Sequence, residues 1–110
     1  LYQGLSAQAQ VLNNVAFNGP RAGINLNDGF GGGHHIKGNL IFNMVRETCD
    51  HGPINSWDRL PLLTTVKDGV TPSYFPKVSN ITNNFLINNY QSVWPLDHDD
   101  GSCYYHDTEN

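Results

Sequence analysis

The sequence predicts an all-β protein, and more specifically a right-handed parallel β-helix, a solenoid of about three to four coils with a long loop at residues 60–79. Three observations point to this fold. A short apolar motif ending in Asn recurs along the chain, a second motif follows each copy in the same order, and no stretch has the periodicity of an amphipathic helix. Because equivalent residues of such a repeat stack on one another, the pattern favours parallel strands.

The first motif reads aliphatic, two small or polar residues, Asn, three apolar residues, Asn. Its copies begin at Val11, Ile36 and Ile81, with offsets of 25 and 45 residues. The first offset fits one turn of a parallel solenoid. The second fits two turns, or one turn with a long excursion.

Stacking places equivalent residues of this motif about 4.8 Å apart. The Asn residues at its fourth position should then form a ladder in which each side-chain amide bonds to the next. The first and third of the three apolar residues that follow this Asn should point inward and form two columns. The ladder would contain Asn14, Asn39 and Asn84, and the inward columns Val15, Leu40 and Phe85, and Phe17, Phe42 and Ile87.

The second motif begins at Ile24, Ile54 and Leu96 and reads aliphatic, Asn or Asp, any residue, a variable residue, Asp. Strand side chains alternate between faces, so these three aliphatic residues should face inward. The residues one and three places later should face outward. These are Asn25, Asn55 and Asp97, followed by Asn27, Trp57 and Asp99.

The two motifs place coils around residues 11–29, 36–59 and 81–101 of a single domain that covers residues 1–110. Residues 60–79 contain Pro61, Pro72 and Pro76, which argue against central strands. Asp68-Gly69 is a hairpin-type turn signal, so this insertion is interpreted as a long loop or hairpin. Since neither end of the sequence carries an obvious cap, we expect a fragment of a larger β-helix.

Composition excludes two classes of partner. Charged residues make up 15% of the chain, the net charge is −4, and the six Lys and Arg residues are spread singly. There is no basic stripe for a phosphate backbone, so nucleic acid is not an expected partner. No apolar run is long enough to cross a bilayer. The abundance of Asn and Gly suits short strands joined by tight turns.

Two weaker signals concern the compartment. Cys49 and Cys103 are disulfide candidates, either with each other or with other segments. Asn80, followed by Ile81 and Thr82, is the acceptor of an N-glycosylation sequon. Together they favour an oxidising setting, and we expect the protein to be secreted, extracellular or at the cell surface.

The densest polar cluster supplies the catalytic candidates Asp97, His98, Asp99 and Asp100. On a strand, Asp97 and Asp99 share a face about 7 Å apart. That separation allows one carboxyl to protonate a leaving oxygen while the other activates water, as in inverting glycosidases, and mutual repulsion raises the pKa of one of them. Neighbouring residues would bind the substrate: Arg46, Asn55, Trp57, Asp58 and Arg59.

Other interpretations of this cluster remain open. Outward carboxylates also occur on solvated faces, and Asp100 also suits a turn closed through its side chain. His98 aligns with Leu26 and Ser56, so it also suits an inward polar position. Asp97, Asp99 and Asp100 precede a glycine and offer hard oxygen ligands for a weak extracellular calcium site. Asp50 and His51 with His98 could also suggest zinc, but no closely spaced ligand pair supports it.

Five segments carry a resemblance to a known family: Gly19–Asn25, Arg46–Thr48, His51–Pro53, Asn55–Arg59 and Trp94–Gly101. They resemble the right-handed parallel β-helix (pectin-lyase-like) superfamily, and more narrowly a group of secreted eukaryotic β-helix proteins of undefined activity. The resemblance covers residues 11–110 and implies the fold. The superfamily includes polysaccharide lyases, hydrolases and epimerases as well as non-enzymatic adhesins and fibre proteins, so the resemblance does not imply one activity.

Two functions follow as hypotheses. The first is an extracellular carbohydrate-active β-helix protein that binds or cleaves a polysaccharide, as a hydrolase or lyase if it is an enzyme. The second is a structural building block of a cell-surface filament, wall or appendage with no catalytic activity. In the second case self-assembly, or continuation of the solenoid, would cover the strand edges at its ends.

Overall fold

A computed structural model of the chain describes residues 2–4, 7–27, 32–57, 63–65, 70, 72–74 and 77–110. Every regular element in these ranges is a β-strand, and the predicted all-β class with parallel strands is confirmed for them. The strands are β1 Tyr2–Gly4, β2 Gln10–Leu12, β3 Val15–Phe17, β4 Ile24–Asn27, β5 His35–Lys37, β6 Leu40–Phe42, β7 Ile54–Trp57, β8 Leu63–Thr65, β9 Pro72–Tyr74, β10 Ser79–Thr82, β11 Phe85–Ile87, β12 Leu96–Asp99 and β13 Tyr105–Thr108.

The strands form three parallel sheets and one antiparallel pair. Sheet I has the order β1-β4-β7-β12, sheet II β13-β10-β5-β2 and sheet III β11-β6-β3. Their registers join the residues that the sequence repeat aligns: Ile24 pairs with Ile54, and Ile54 with Leu96. The antiparallel pair, β8 with β9, lies within the predicted insertion at 60–79, and the residues around it are partly outside the described ranges.

Sheet II contains a fourth strand, β13, that the repeat did not predict. Val11, Ile36 and Ile81 occupy one position in successive strands, and Asp107 occupies the same position in β13. The first three are buried. An aspartate in an otherwise aliphatic column hides this copy from a search based on apolar pattern.

The predicted asparagine ladder is confirmed between sheets II and III. Asn14 donates from its backbone N and Nδ2 to Asn39 Oδ1 at 2.9 and 3.1 Å, and Asn39 donates in the same way to Asn84 Oδ1 at 3.0 and 2.8 Å. Asn110 adds a fourth member, because its Oδ1 accepts the equivalent pair from Asn84 at 3.0 and 2.8 Å. Asn39 and Asn84 are buried, so these bonds satisfy polar groups that water cannot reach.

The apolar core lies between the three sheets, and each sheet contributes to it. Removing apolar side chains from water is the main favourable term in folding, and here it is concentrated in a few aliphatic residues. The buried members are Ile24, Leu26 and Ile54 from sheet I, Val11, Ile36 and Ile81 from sheet II, Ile41 from sheet III, and Met44 and Val45 after β6.

The two columns predicted to point inward from sheet III point outward, so this prediction was wrong. Val15 and Phe85 are 60% and 63% exposed, whereas Ile41 is fully buried and Ala16 packs against the core. All three residues of each strand are apolar, so no alternation marks the inner face. Asn39 and Asn84, the ladder residues that precede β6 and β11, are buried, so the residue after each must point the other way.

The outer face of sheet I is polar, as predicted, but it is not open to solvent along its length. Asn25, Asn27 and Asn55 alternate with core residues, and yet all three are buried. Asn25 Nδ2 donates to Asn27 Oδ1, which pairs polar groups on this covered face. Asp99, by contrast, is exposed. Arg21 and His51 line a cavity with Asn55 on this face.

Three further features bear on the sequence predictions. Cys49 and Cys103 are both exposed free thiols. Asn80, the sequon asparagine, lies half-buried in β10 with its backbone N donating to His34 O at 2.8 Å. Within the described ranges, no helix is both long enough and apolar enough to span a bilayer.

Candidate functional site

A polar cavity of about 420 Å³ lies beside β12. A smaller cavity of about 170 Å³ lies over the outer face of sheet I and shares two carboxylates, Asp50 and Asp99, with the first. We define the acidic site as Arg21, Asp50, His51, Asp97 and Asp99. The remaining lining residues are Trp94, Leu96 and His98 in the larger cavity, and Asn55, Trp57 and Asp100 in the smaller one.

Parallel pairing of β12 with β7 positions the two central carboxylates. Asp97 pairs with Asn55, and Asp99 pairs with Trp57. With its amide oriented to satisfy both ends, Asn55 donates from Nδ2 to Asp97 Oδ2 at 3.0 Å and accepts from Ser56 N at 3.2 Å. One residue, His98, lies between Asp97 and Asp99, so the two side chains share a face of the strand and their Cα atoms are about 7 Å apart.

The environment of Asp97 favours its protonated form. Burial raises the pKa of Asp97 above its usual range, and the Asp99 carboxylate raises it further. Asp50 adds to the increase, whereas His51 and the Gly52 backbone N–H oppose it. A carboxyl whose pKa is raised beside a second, more exposed carboxyl is the arrangement that acid–base catalysis on a glycosidic bond requires.

His51 is held as a neutral ring at the edge of this site. Arg21 Nε and Nη2 lie 2.9 and 2.7 Å from His51 Nε2, and Thr48 Oγ1 lies 3.1 Å from Nδ1. Because a guanidinium only donates, Nε2 must accept and the ring proton sits on Nδ1, bonded to Thr48. Burial lowers the pKa of His51, and the Arg21 charge lowers it further. The permanent cation at the acidic site is therefore Arg21.

The structure brings together only part of the predicted site. Asp97, Asp99, Asn55 and Trp57 converge, and Asp100 N donates to Asp99 Oδ1 at 2.8 Å in the turn after β12. Asp100 also lines the smaller cavity. Two predicted substrate-binding residues, Asp58 and Arg59, lie outside the described residues.

Arg46, another predicted substrate-binding residue, lies at a different cavity. That cavity, of about 450 Å³, is lined by Asn43, Arg46, Glu47 and Tyr90. Arg21, which the repeat aligns with Arg46, is the arginine that reaches the acidic site. The sequence analysis chose Arg46 and not Arg21, because nothing in the motif shows which of the two arginine-containing loops reaches the outer face of sheet I.

His98 belongs to a separate hydrogen-bonded chain that runs from exposed Asp107 to buried Ser56. It follows Leu26 and Ser56 in the inward column of sheet I. His98 Nε2 lies 2.7 Å from Asp107 Oδ2, and Nδ1 lies 2.7 Å from Ser56 Oγ. Its ring also stacks on Tyr105 with centroids 4.4 Å apart. Both ring nitrogens of His98 thus have hydrogen-bond partners, but the residue is exposed and also lines the larger cavity.

Asp107, His98 and Ser56 are hydrogen-bonded in the order of a hydrolase triad, but Ser56 is too buried for a polymer substrate to reach it. Ser56 is 1% exposed, and its Oγ bonds Ser102 Oγ at 2.9 Å. A nucleophile needs an open approach for the substrate carbonyl. The Asp107–His98–Ser56 arrangement instead satisfies polar groups where the aliphatic columns of sheets I and II end.

No metal centre is evident in the part of the chain that the structure describes. There, no group of three or more His, Cys, Asp or Glu side chains converges in a way able to hold a metal ion. The calcium candidates Asp97 and Asp99 face the acidic site, and Asp100 lies in the turn that follows them.

Arg21 was not among the predicted substrate-binding residues, and Asp50 and His51 were considered only as weak zinc candidates. All three lie in connections between strands, so the repeat does not place them at the site.

Comparison with known proteins identifies no relative. No protein-family model matches the chain, and neither the curated proteins nor the solved structures include a significant match.

Proposed function

We propose that the chain is a stretch of right-handed parallel β-helix whose acidic site binds and cleaves an extracellular polysaccharide. The fold part of this proposal is supported by three parallel sheets whose registers follow one repeat. It is also supported by the sequence resemblance to the pectin-lyase-like superfamily.

One observation carries the catalytic part. Asp97 and Asp99 share a cavity in which burial and the neighbouring charge raise the pKa of Asp97. Asp97 would donate a proton to the glycosidic oxygen, and Asp99, the more exposed carboxylate, would activate water. A separation of about 7 Å leaves room for that water and predicts inversion at the anomeric carbon.

The surroundings of the carboxylates suit a sugar chain. Trp94 lines the larger cavity and is 52% exposed, so one face of its indole is accessible to a sugar ring. Asp50 and Arg21 add hydrogen-bonding groups at the other side of the site. An apolar ring with converging polar groups is the usual composition of a small-molecule pocket.

The test is turnover on a panel of neutral and acidic polysaccharides, followed through new reducing ends. We expect Asp97→Asn and Asp99→Asn each to reduce turnover at least about 100-fold, the usual contribution of a general acid or base. The matched control is Glu109→Gln, which removes one negative charge from a side chain outside the acidic site that accepts from Asn83 Nδ2 at 2.8 Å. Undiminished turnover in both aspartate variants would remove the catalytic assignment.

The products distinguish two reaction types. Hydrolysis with inversion gives saturated ends whose anomeric configuration can be followed by NMR. Unsaturated, ultraviolet-absorbing ends would instead identify a lyase and assign Asp97 a different role.

A second function, as a structural building block, is favoured by the strand edges. Within the described residues, β11, β12 and β13 are the last strands of the three sheets at one end of the stack, and β3, β1 and β2 at the other. Unpaired parallel edges are templates for further strands. Filaments in electron micrographs of the purified chain would support this function; particles of one or two copies would contradict it.

We place either function outside the cell, on the basis of the Asn80 sequon. Expression in a glycosylating secretory host should give a protein whose mass falls on treatment with an N-glycosidase. The Asn80→Gln variant should show no such change.

A further inference from the structure

The outer face of sheet III carries six apolar side chains and no charged one. They form two columns that run across the strands, two residues apart. Val15, Phe17 and Phe85 are all more than half exposed. We call this surface the apolar face; its members are Val15, Leu40 and Phe85 in the first column, and Phe17, Phe42 and Ile87 in the second.

The apolar face is large enough to need an explanation. A fully exposed aromatic side chain offers about 200 Å², so Phe17 and Phe85 alone leave roughly 240 Å² of ring surface in water at 56% and 63% exposure. Including their aliphatic neighbours brings the patch to roughly 400 Å², in the range where surface patches are often functional. A standard protein interface buries about 800 Å² per partner, a little over half of it apolar. The face thus supplies most of the apolar part of one such interface.

The chemistry of the face suits a protein surface rather than a sugar or a charged ligand. Phe17 and Phe42 stack with centroids 5.2 Å apart and ring planes 6° from parallel. Each ring therefore covers a face of the other and leaves less flat ring surface for a pyranose. In parallel sheets, strands that are apolar throughout are normally covered on both faces, and β3, β6 and β11 contain only apolar residues.

The distribution of large and small residues is self-complementary under a twofold axis parallel to the strands and passing over β6. Such an axis leaves the residue order along each strand unchanged and places β3 opposite the partner's β11. Phe85 then meets the small Val15, and Phe17 meets Ile87. Leu40 meets its own copy, as does Phe42. In both outer strands an aromatic side chain faces an aliphatic one, as an isologous interface requires.

We propose that a second copy of this chain packs on the apolar face, sheet III against sheet III, with this twofold symmetry. Two sheets packed in this way lie about 10 Å apart. The contact is lateral, so it is independent of the strand edges at the ends of the stack and of the acidic site.

The first test measures mass in solution by sedimentation. We expect a discrete dimer in the wild type and a loss of at least about 100-fold in association for Phe85→Glu, since a charge would be buried without a partner. Lys37→Glu is the matched control: it places a glutamate at an exposed position of β5, on another sheet, and should leave the dimer intact. A wild type that is monomeric up to about 1 mM, where an association of ~4 kcal/mol would be visible, would overturn the proposal.

The second test does not depend on how well Phe85→Glu folds. In a Cys49→Ser, Cys103→Ser background, Leu40→Cys would place two thiols opposite each other at the twofold axis. A homobifunctional maleimide with a spacer of about 10 Å should then cross-link Leu40→Cys efficiently and leave Lys37→Cys unlinked. Equal cross-linking of the two variants would contradict the sheet-to-sheet contact.

A mixture tests the symmetry itself. Val15→Cys and Phe85→Cys should cross-link to each other faster than either cross-links to its own copy, because the twofold axis places them opposite one another. Preferential self-linking of Val15→Cys would overturn this axis.

Discussion

Sheets I and III are built from the same repeat and face the same core, but their outer faces differ in chemistry. In β4, β7 and β12 the outer face of sheet I consists of asparagine and aspartate side chains with Trp57, and Arg21 and His51 line a cavity over part of it. The outer face of sheet III is made of valine, leucine, isoleucine and phenylalanine and is exposed. The outer face of sheet I therefore presents ionisable groups, whereas that of sheet III presents exposed apolar side chains.

In both sheets the inner face packs in the shared apolar core, whereas the outer faces differ in composition. At the outer face of sheet I, burial raises the pKa of Asp97 and lowers the pKa of His51. Such shifts are frequent at functional sites. In sheet III, the exposed apolar columns leave surface that association would remove from water.

The largest expected effect is a difference in stability between alanine substitutions on the two faces of sheet III. Ile41→Ala should destabilise the fold by about 2–5 kcal/mol, since Ile41 is fully buried and leaves a cavity. Val15→Ala removes a side chain that is 60% exposed and should cost less than about 1 kcal/mol in the free monomer. Urea unfolding of dilute samples measures both values. Equal losses would show that the two faces of sheet III had been assigned wrongly.

The next effect concerns the outer face of sheet I. The pKa of Asp97 is raised in the folded state, so ionisation of this group disfavours folding as pH rises above its unfolded value of about 3.9. Asp97→Asn should therefore raise the melting temperature at pH 7. Below the unfolded pKa both states of the wild type are protonated, and the difference should disappear. A variant that melts lower than the wild type at pH 7 would contradict the cause assigned to the shift.

The smallest effect concerns His51. Its pKa is lowered in the folded state, so its contribution to stability is fully present above the unfolded pKa of about 6.5 and is lost as pH falls through the folded pKa. His51→Gln should therefore show a smaller acid-induced loss of stability than the wild type, measured by thermal melts between pH 7 and pH 4. Arg21→Gln should reduce it, because one of the two causes is removed. Identical pH profiles in the wild type and His51→Gln would refute this account.

The pairing of strands was predictable from sequence, and the facing of their side chains only partly so. Val11, Ile36 and Ile81 stand at a fixed distance before an Asn, and this constancy gave the correct register. In sheet I, apolar and polar residues alternate, so the inner face was clear. In sheet III no alternation exists, and the wrong face was predicted. Asp107 broke the pattern that would have revealed β13.

The acidic site was predictable only where it lies on strands. Asp97 and Asp99 follow from period-two geometry, and Asn55 from the stacking of the repeat. Arg21 and His51 lie in connections whose path depends on tertiary packing, and a repeat does not encode that path. The Arg21–His51 contact spans 30 residues and neither residue lies in a strand.

The asparagine ladder has a consequence for the chemical ageing of this Asn-rich chain. Spontaneous deamidation begins when the backbone nitrogen of the next residue attacks the side-chain carbonyl. After Asn39 and Asn84 that nitrogen is engaged: Leu40 N donates to Asn14 O at 2.9 Å, and Phe85 N donates to Asn39 O at 2.8 Å. The same bonds that join the strands therefore hold back the reaction that would convert these amides into carboxylates and introduce charge into a buried column.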